Sequence, residues 1–477
     1  MRQQAARRGT HVAGDNQFDL VILGGGSGGY ACAFRAADLG MSVALIEKAE
    51  VGGTCLHRGC IPTKALLHAG EIADNTREAA QFGVAATFQG IDMAAVNSYK
   101  DGVVGQLYKG LQGIVKARKI EFIAGEGRLV SANTVQVNGQ NVTGANVVLA
   151  TGSVPKSLPG LEIDGNRVIS SDHALKLDYV PASAIILGGG VIGCEFASVW
   201  KSFGTDVTII EGLPHLVPLE DENSSKLLER AFRRRGIKYE LGNFFSGVEY
   251  TENGVRASIA NGKTVEADLM LVAVGRGPVS AGLGYEEAGV AMDRGYVKVD
   301  QYCRTSVPGV YAVGDLIPTL QLAHVGFAEG ILVAEHIAGL AGLYSGAVAP
   351  IDYDGVPRVT YSHPEVASMG LTEAQAKVKH GDAGVKTFNY DLAGNGKSKI
   401  LKTSGQVKVV QQVDGPVLGI HMVGDRMGEL VGEAQLIFNW EALPQEVAQL
   451  VHAHPTQTEA LGEAMMALAG KPLHVHD

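Results

Sequence analysis

The sequence predicts an α/β protein containing two Rossmann-like units, and three observations carry the prediction. A pattern of strand, glycine loop, helix and strand occurs twice, an acid closes each copy at the same spacing, and the chain is rich in glycine. Its 63 glycines are about twice the usual share.

In the first copy, Asp19 to Leu23 is a short apolar strand that runs into Gly24-Gly25-Gly26-Ser27-Gly28-Gly29 and an alanine-rich helix to about Leu39. Gly24 permits a tight turn, Gly26 lets backbone approach a pyrophosphate, and Gly29 lets helix and strand pack closely. The helix N-terminus would then stabilise phosphate charge. A second strand, Ser42 to Ile46, ends at Glu47, where a carboxylate can accept hydrogen bonds from ribose hydroxyls. The second copy has the strand Ala184 to Leu187, the glycines Gly188, Gly190 and Gly193, a helix, the strand Asp206 to Ile210, and Glu211. From first glycine to acid is 23 residues in both. One GxGxxG is a weak signal, because glycine turns precede helices for structural reasons alone. Two in register predict two dinucleotide sites. Glu211 would repel a 2′-phosphate, so the second site is expected to take NAD rather than NADP; the plainer reading of Glu211 is a solvated strand end. Apolar strands from Asn146 to Ala150 and from Leu269 to Val274 close the two units at Thr151-Gly152 and Gly275-Arg276. A further strand from Gly309 ends at Gly314-Asp315.

The length of 477 residues exceeds a single core and suggests three or four domains. Forty basic against fifty acidic side chains give a net charge of −10, so nucleic acid is not an expected partner. No apolar run approaches the ~20 residues of a spanning helix, so no membrane segment is expected. The head, residues 1–17, carries Arg2, Arg7 and Arg8. It reads as a disordered extension or cloning remnant rather than a targeting helix, since it lacks an apolar face. Five scattered cysteines are no secreted disulfide framework, which makes a reducing compartment, the cytoplasm, the expectation.

Cys55 and Cys60 stand in Gly53-Thr54-Cys55-Leu56-His57-Arg58-Gly59-Cys60-Ile61-Pro62-Thr63-Lys64. On a regular helix, residues five apart are separated by ~7.5 Å along the axis and point ~140° apart, more than a disulfide with Cα atoms under ~7 Å spans. A redox pair therefore needs a distorted turn, which Gly59 eases; Pro62 suits the first turn of a following helix. Zinc binding would need partner ligands, and Cys32, Cys194 and Cys303 offer no such spacing. Two buried thiols remain the bland reading of the pair, while Cys32, Cys194 and Cys303 read as small core residues. Near the C-terminus, His452-Ala453-His454 could be a metal site, a polar loop, or a general base; an imidazole oriented by a carboxylate such as Glu459 suits proton transfer. No metal is expected. His474 and His476 read as a mobile tail.

On these motifs, from about Phe18 to about Pro472, the chain resembles the pyridine nucleotide-disulfide oxidoreductase family. The resemblance implies FAD in the first unit and NAD in the second, a Cys55–Cys60 redox disulfide, Asp315 on the flavin ribityl chain, Leu322-Ala323-His324 opening a helix aimed at the flavin, and a Lys64–Glu195 pair near the reactive flavin nitrogen. The segment Pro357 to Glu365 resembles the start of the family's α+β dimerisation domain, and His452 to Glu459 its catalytic loop. His454 is implied as the base, acting from the opposite subunit of a homodimer. The implied organisation is a head, 1–17; an FAD domain, 18–156; an NAD domain, 157–284; a central region completing the FAD domain, 285–352; and an interface domain, 353–477.

The absence of cysteine after Cys303 disfavours family members with a second redox pair, and Gly193 with Glu211 disfavours the NADPH-linked thiol reductases. The implied substrate is dihydrolipoamide on the lipoyl domain of an acyltransferase subunit of a 2-oxo acid dehydrogenase complex. The alternatives are NAD(P)H-dependent reduction of another disulfide, of glutathione or mycothione type, and an FAD-binding scaffold without turnover. Two departures stand out: His57-Arg58 replace a common Asn-Val, and Val325-Gly326-Phe327 replace an acidic helix start.

Overall fold

Short apolar strands alternating with glycine turns build the architecture seen in a computed structural model of the chain, which describes residues 16–475. The head through residue 15, and His476, lie outside the described residues. The chain groups into two compact units, both discontinuous in sequence.

The first unit takes the chain up to His57, Val104–Val154 and Arg276–Ile351. At its centre the strand Gln17–Leu23 lies parallel to Val43–Glu47 on one side and to Gln140–Leu149 on the other. Glu121–Ala124 extends the parallel sheet beyond Val43–Glu47, and Val310–Ala312 pairs parallel with Gln140–Leu149. Leu20, Val21 and Ile22 are wholly buried, as expected of a central parallel strand covered on both faces. Gln140–Leu149 begins well before the apolar run at Asn146, because its polar first half pairs antiparallel with Thr134–Val137. The strand Val310–Ala312 stops short of Asp315, where a 3₁₀ turn over Gly314–Leu316 takes over. The helices Ser27–Asp38 and Ala323–Leu340 meet at glycines. A Cβ on Gly330 would stand 2.3 Å from the Gly28 carbonyl oxygen, and one on Gly326 3.2 Å from the Gly28 nitrogen. The departure at Gly326 therefore falls where two helix backbones nearly touch.

The second unit takes Arg58–Val103, Pro155–Gly275 and the chain from Asp352 onward. Its five-stranded parallel sheet runs Lys238–Leu241, Asp206–Glu211, Ser183–Leu187, Leu269–Val272, Val168–Ser170. Leu269–Val272 ends before Val274. A three-stranded antiparallel meander, Phe245–Tyr250, Val255–Ile259 and Thr264–Ala267, follows in the same unit. The last portion forms an antiparallel sheet in the order Arg358–Thr360, Glu365–Gly370, Val417–Gly424, Gln406–Gln412, Val385–Asp391. Helices Met427–Asn439 and Glu459–Leu468 bury Leu430, Ala434, Leu461 and Met465 in the core shared with that sheet. Helix Cys60–Glu78 packs against Val191–Phe203, with Gly70 set over Ser202.

Both glycine loops obey the same steric rule. A Cβ on Gly29 would lie 1.9 Å from the Gly24 oxygen, and a Cβ on Gly193 would lie 1.9 Å from the Gly188 oxygen. Gly193→Ala is therefore expected to lower stability by about 1–3 kcal/mol, the usual cost of overpacking. Gly247→Ala, with open space around it and no positive φ, should be neutral or slightly stabilising. Paired denaturant titrations of the two variants check the contrast.

Candidate active site

The first glycine loop is built to receive a phosphate. Gly24 sits at φ +111 with the Ala150 carbonyl where its Cβ would be. Gly26 caps the helix Ser27–Asp38 with no side-chain hydrogen bond, no acid follows in the first turn, and a Cβ there would meet only the Gly53 Cα, at 4.0 Å. That open cradle of helix N–H groups fits a pyrophosphate. Glu47 is already engaged by the backbone: the Gly25 N–H donates to one oxygen at 2.7 Å and the Ala49 N–H to the other at 2.8 Å. A carboxylate has about four acceptor positions, so two remain for ribose hydroxyls.

At the far side of this sheet, Asp315 receives the Ser153 hydroxyl, while Arg276 donates through Nε to the Ser153 oxygen at 2.8 Å and through a terminal nitrogen to the Ser153 carbonyl at 2.7 Å. The turn carrying Asp315 is fixed by Glu329, wholly buried, which accepts from the Gly314 N–H at 2.6 Å and the Thr319 hydroxyl at 2.8 Å. Thr151 donates to the Val279 carbonyl at 2.6 Å, and the Gly152 carbonyl accepts from the Val279 N–H at 2.9 Å. This pair therefore ties the sheet to the returning segment. Ala323 opens its helix behind the extended Leu322, with no acid in the first turn.

The second loop repeats the first within the other unit. Gly188, at φ +110, makes room for the Ala273 carbonyl, and Gly190 caps the helix with nothing within 4 Å of a Cβ position. Glu211 accepts from the Gly189 N–H at 2.6 Å and the Leu213 N–H at 2.8 Å, the same double clasp as Glu47. It is thus more than a solvated strand end. Gly275, at φ +107 with open space around it, follows the last strand of that sheet.

The two cysteines lie on consecutive helices. Gly53–Arg58 carries Cys55, Gly59 breaks the helical path at φ −151 and ψ −110, and Cys60 is the first residue of Cys60–Glu78. The distortion required for a redox pair is thus present in the backbone, with Pro62 in the first turn as expected. Both cysteines are half-buried. A thiol at a helix N-terminus is favoured as thiolate, and Cys60 also faces Lys64 closely enough to raise the lysine pKa.

Lys64 Nζ donates to both oxygens of the buried Glu195 at 2.8 Å. Burial acts downward on the ammonium, but Glu195 outweighs it and holds the Lys64 pKa above its ordinary value. The Tyr361 N–H adds a bond to Glu195 at 3.0 Å, and Lys64 stands 4.8 Å over the Tyr361 ring.

His454 presents a ring that is 76% exposed, held from one side by Glu459 at 2.8 Å from Nδ1. Glu459 heads its helix and accepts from the Thr456 N–H at 2.7 Å. Burial pushes its carboxyl up, yet that N–H and His454 outweigh burial and keep it below the usual range. With Nδ1 facing the carboxylate, Nε2 is the ring position left to exchange a proton. His452 is turned inward instead, bonded to Glu433 at 2.7 Å, which raises its pKa. His474 is not a loose tail: its ring lies 2.7 Å from the buried Glu463. No cluster of metal-ligating side chains occurs among the described residues. Cys32, Cys194 and Cys303 are buried; desolvation pushes the Cys32 thiol up to about 12 and the other two up as well.

Ser153, Glu329 and Tyr361 escaped the sequence reading. Ser153 and Tyr361 act through partners distant in the chain and Glu329 through the turn just before its helix, and a lone serine, a glutamate inside an apolar helix and a tyrosine after a strand carry no local signal.

Two dinucleotide loops, a cysteine pair across a broken helix and a carboxylate-oriented histidine are the parts of a nucleotide-linked disulfide oxidoreductase. Residues 18–330 match the pyridine nucleotide-disulphide oxidoreductase family and residues 356–465 its dimerisation domain, and the chain belongs to that family. It is 40% identical to a dihydrolipoyl dehydrogenase of Bacillus subtilis, over 96% of this chain and 99% of the relative. It is 38% identical to the mitochondrial dihydrolipoyl dehydrogenase of Pisum sativum, over 97% and 94%. Among solved structures, LpdA from Mycobacterium tuberculosis superposes with a TM-score of 0.86 at 26% identity, over 95% and 99%. The HOCl-induced flavoprotein disulfide reductase RclA from Escherichia coli gives 0.82 at 26%, over 94% and 99%.

Lys64→Met would leave the buried Glu195 carboxylate with a single backbone donor. A loss of about 2–4 kcal/mol is expected, and Lys64→Met/Glu195→Leu should recover much of it. Chemical denaturation of both variants measures the difference.

Proposed function

We propose that the chain oxidises dihydrolipoamide to lipoamide and reduces NAD⁺ to NADH, using a Cys55–Cys60 disulfide and FAD. The observation that carries this reading is the end-to-end likeness to the Bacillus subtilis dihydrolipoyl dehydrogenase. FAD, when bound in the first unit at Gly24, Gly26, Gly29, Glu47 and Asp315, supplies the two-electron carrier between the dithiol and the nicotinamide. Gly188, Gly190, Gly193 and Glu211 would hold NAD⁺. The substrate dithiol is carried on the lipoyl domain of an acyltransferase subunit, in the cytoplasm.

The chain's own residues perform the exchange. A substrate thiol loses its proton to His454 Nε2 and attacks Cys55 Sγ; the Cys55–Cys60 bond breaks, and its electron pair goes to Cys60. Lys64, beside Cys60, stabilises that thiolate. The second substrate thiol then attacks the substrate sulfur bound to Cys55, which closes the lipoamide ring; Cys55 leaves with the electron pair of the broken bond, receives the proton held by His454, and His454 takes the proton of the second thiol. Glu459 keeps the His454 ring aimed and stabilises the imidazolium. In the homodimer His454 acts on the partner subunit's cysteine pair, which gives its exposed ring a role.

His454→Gln should lower NAD⁺-linked dihydrolipoamide turnover by about 10²–10⁴-fold, the usual worth of general acid–base catalysis, while leaving anaerobic reduction by NADH intact. Steady-state assays with NAD⁺ and NADP⁺, run beside oxidised glutathione and mycothione in the reverse direction, test substrate and coenzyme together. Faster turnover with a low-molecular-weight disulfide, or a preference for NADP⁺, would sink the proposal.

A further inference from the structure

His57 lies two residues after Cys55 in the helix Gly53–Arg58, and its surroundings set it apart from its charged neighbour. Arg58 is exposed, so its field is screened by water. The His57 side chain is only 12% exposed. Its ring folds back on the turn that precedes the helix: Nε2 lies 3.0 Å from the Val51 carbonyl oxygen, Nδ1 lies 3.3 Å from the Glu50 carboxylate, and the ring stands edge-on to Tyr108 with centroids 5.1 Å apart. Both groups facing the nitrogens are acceptors only. A neutral imidazole can donate to one of them; the imidazolium donates to both.

The same turn fixes the helix to the first glycine loop. Gly52, at φ +112, leaves no room for a Cβ, which would lie 2.5 Å from Leu56 Cδ2 and 3.2 Å from His57 Nε2. A Cβ on Gly53 would lie 2.6 Å from the Gly26 Cα. The Cys55 helix therefore rests on the phosphate loop at one end and is clasped by His57 to residues 50–51 at the other.

We propose that His57, clasped by Glu50 and Val51, is a positioning residue that holds a positive charge beside Cys55 and lowers the pKa of its thiol. The inference rests on the reading of Cys55 as the substrate-facing sulfur. Residues two apart on a helix do not face each other, so the effect is one of field and placement rather than contact. The groups facing the ring are Glu50 and Tyr108, with Arg58 next in sequence on the exposed side. In ring closure, the bond between Cys55 and the substrate sulfur breaks, the lipoamide disulfide forms, and the electron pair leaves on Cys55. A thiolate of lower pKa leaves faster.

The test is the pH profile of Cys55 alkylation. The holoenzyme is reduced anaerobically with dithiothreitol, treated briefly with iodoacetamide between pH 5.5 and 9, and Cys55 modification is quantified by peptide mass spectrometry. His57→Gln keeps a donor for Val51 without the charge. It should move the midpoint upward and slow alkylation at pH 7 about three- to tenfold, the scale of a nearby opposite charge. Glu50→Gln, on an exposed side chain, should do the same more weakly, because the imidazolium loses its carboxylate. Arg58→Ala should change the rate less than His57→Gln does. Superimposed profiles for the unmodified enzyme and Glu50→Gln, or for the unmodified enzyme and a folded His57→Gln, overturn the proposal. If Cys60 is alkylated and Cys55 is not in the unmodified enzyme, the assignment of Cys55 as the substrate-facing thiol falls instead.

Discussion

The whole architecture depends on a close approach that only glycine allows. At Gly24 and Gly29, and again at Gly188 and Gly193, the end of a strand, the start of a helix and a neighbouring strand's carbonyl converge within distances no Cβ survives. Because the backbone passes there, the helix N-terminus is brought to the sheet edge with its N–H groups unused, and the middle glycines, Gly26 and Gly190, leave space in front of them. Each loop is then pinned by a carboxylate, Glu47 or Glu211, that reaches back to the second glycine of its loop and to the backbone two residues beyond itself. Phosphate recognition and loop rigidity are thus one construction.

What was legible in the chain follows from this. Steric demands recur at fixed spacing, so the paired loops and their acids could be read directly, and the break at Gly59 followed from the reach of a disulfide. Strand ends were less legible. The antiparallel half of Gln140–Leu149 begins with polar, exposed residues held extended by pairing with the neighbouring strand Thr134–Val137. Likewise, Ser153 and Glu329 earn their places through hydrogen bonds to Asp315 and Gly314, contacts that no local pattern announces. His474 follows the same rule, because the buried Glu463 that holds it lies on the preceding helix and no local pattern announces the contact.

Burial separates the titratable groups by task. Glu195 and Glu329 are sealed in and satisfied, which makes them fixed acceptors that organise Lys64 and the Asp315 turn. His454 stands open to solvent with one nitrogen held, which suits a group that must exchange protons and reach a substrate. His452, two residues away, has its ring turned inward to Glu433 and is unsuited to that work. Two histidines in one short loop, each paired with a glutamate, thus differ in exposure rather than in partner.

Charge is distributed on the same principle. The chain carries a net −10, yet each cysteine of the proposed redox pair has a basic side chain of its own unit close in sequence. For Cys60 that side chain is Lys64, anchored by the buried Glu195; for Cys55 it is His57, anchored by the exposed Glu50. The two anchors differ in kind. A lysine paired with a sealed carboxylate is held above its ordinary pKa, whereas the His57 ring rests between a backbone carbonyl and a solvated carboxylate. A permanent cation suits a sulfur that must hold negative charge after the disulfide opens. On the reading proposed for His57, a cation clasped to its own turn suits a sulfur that alternately bonds to substrate and leaves it.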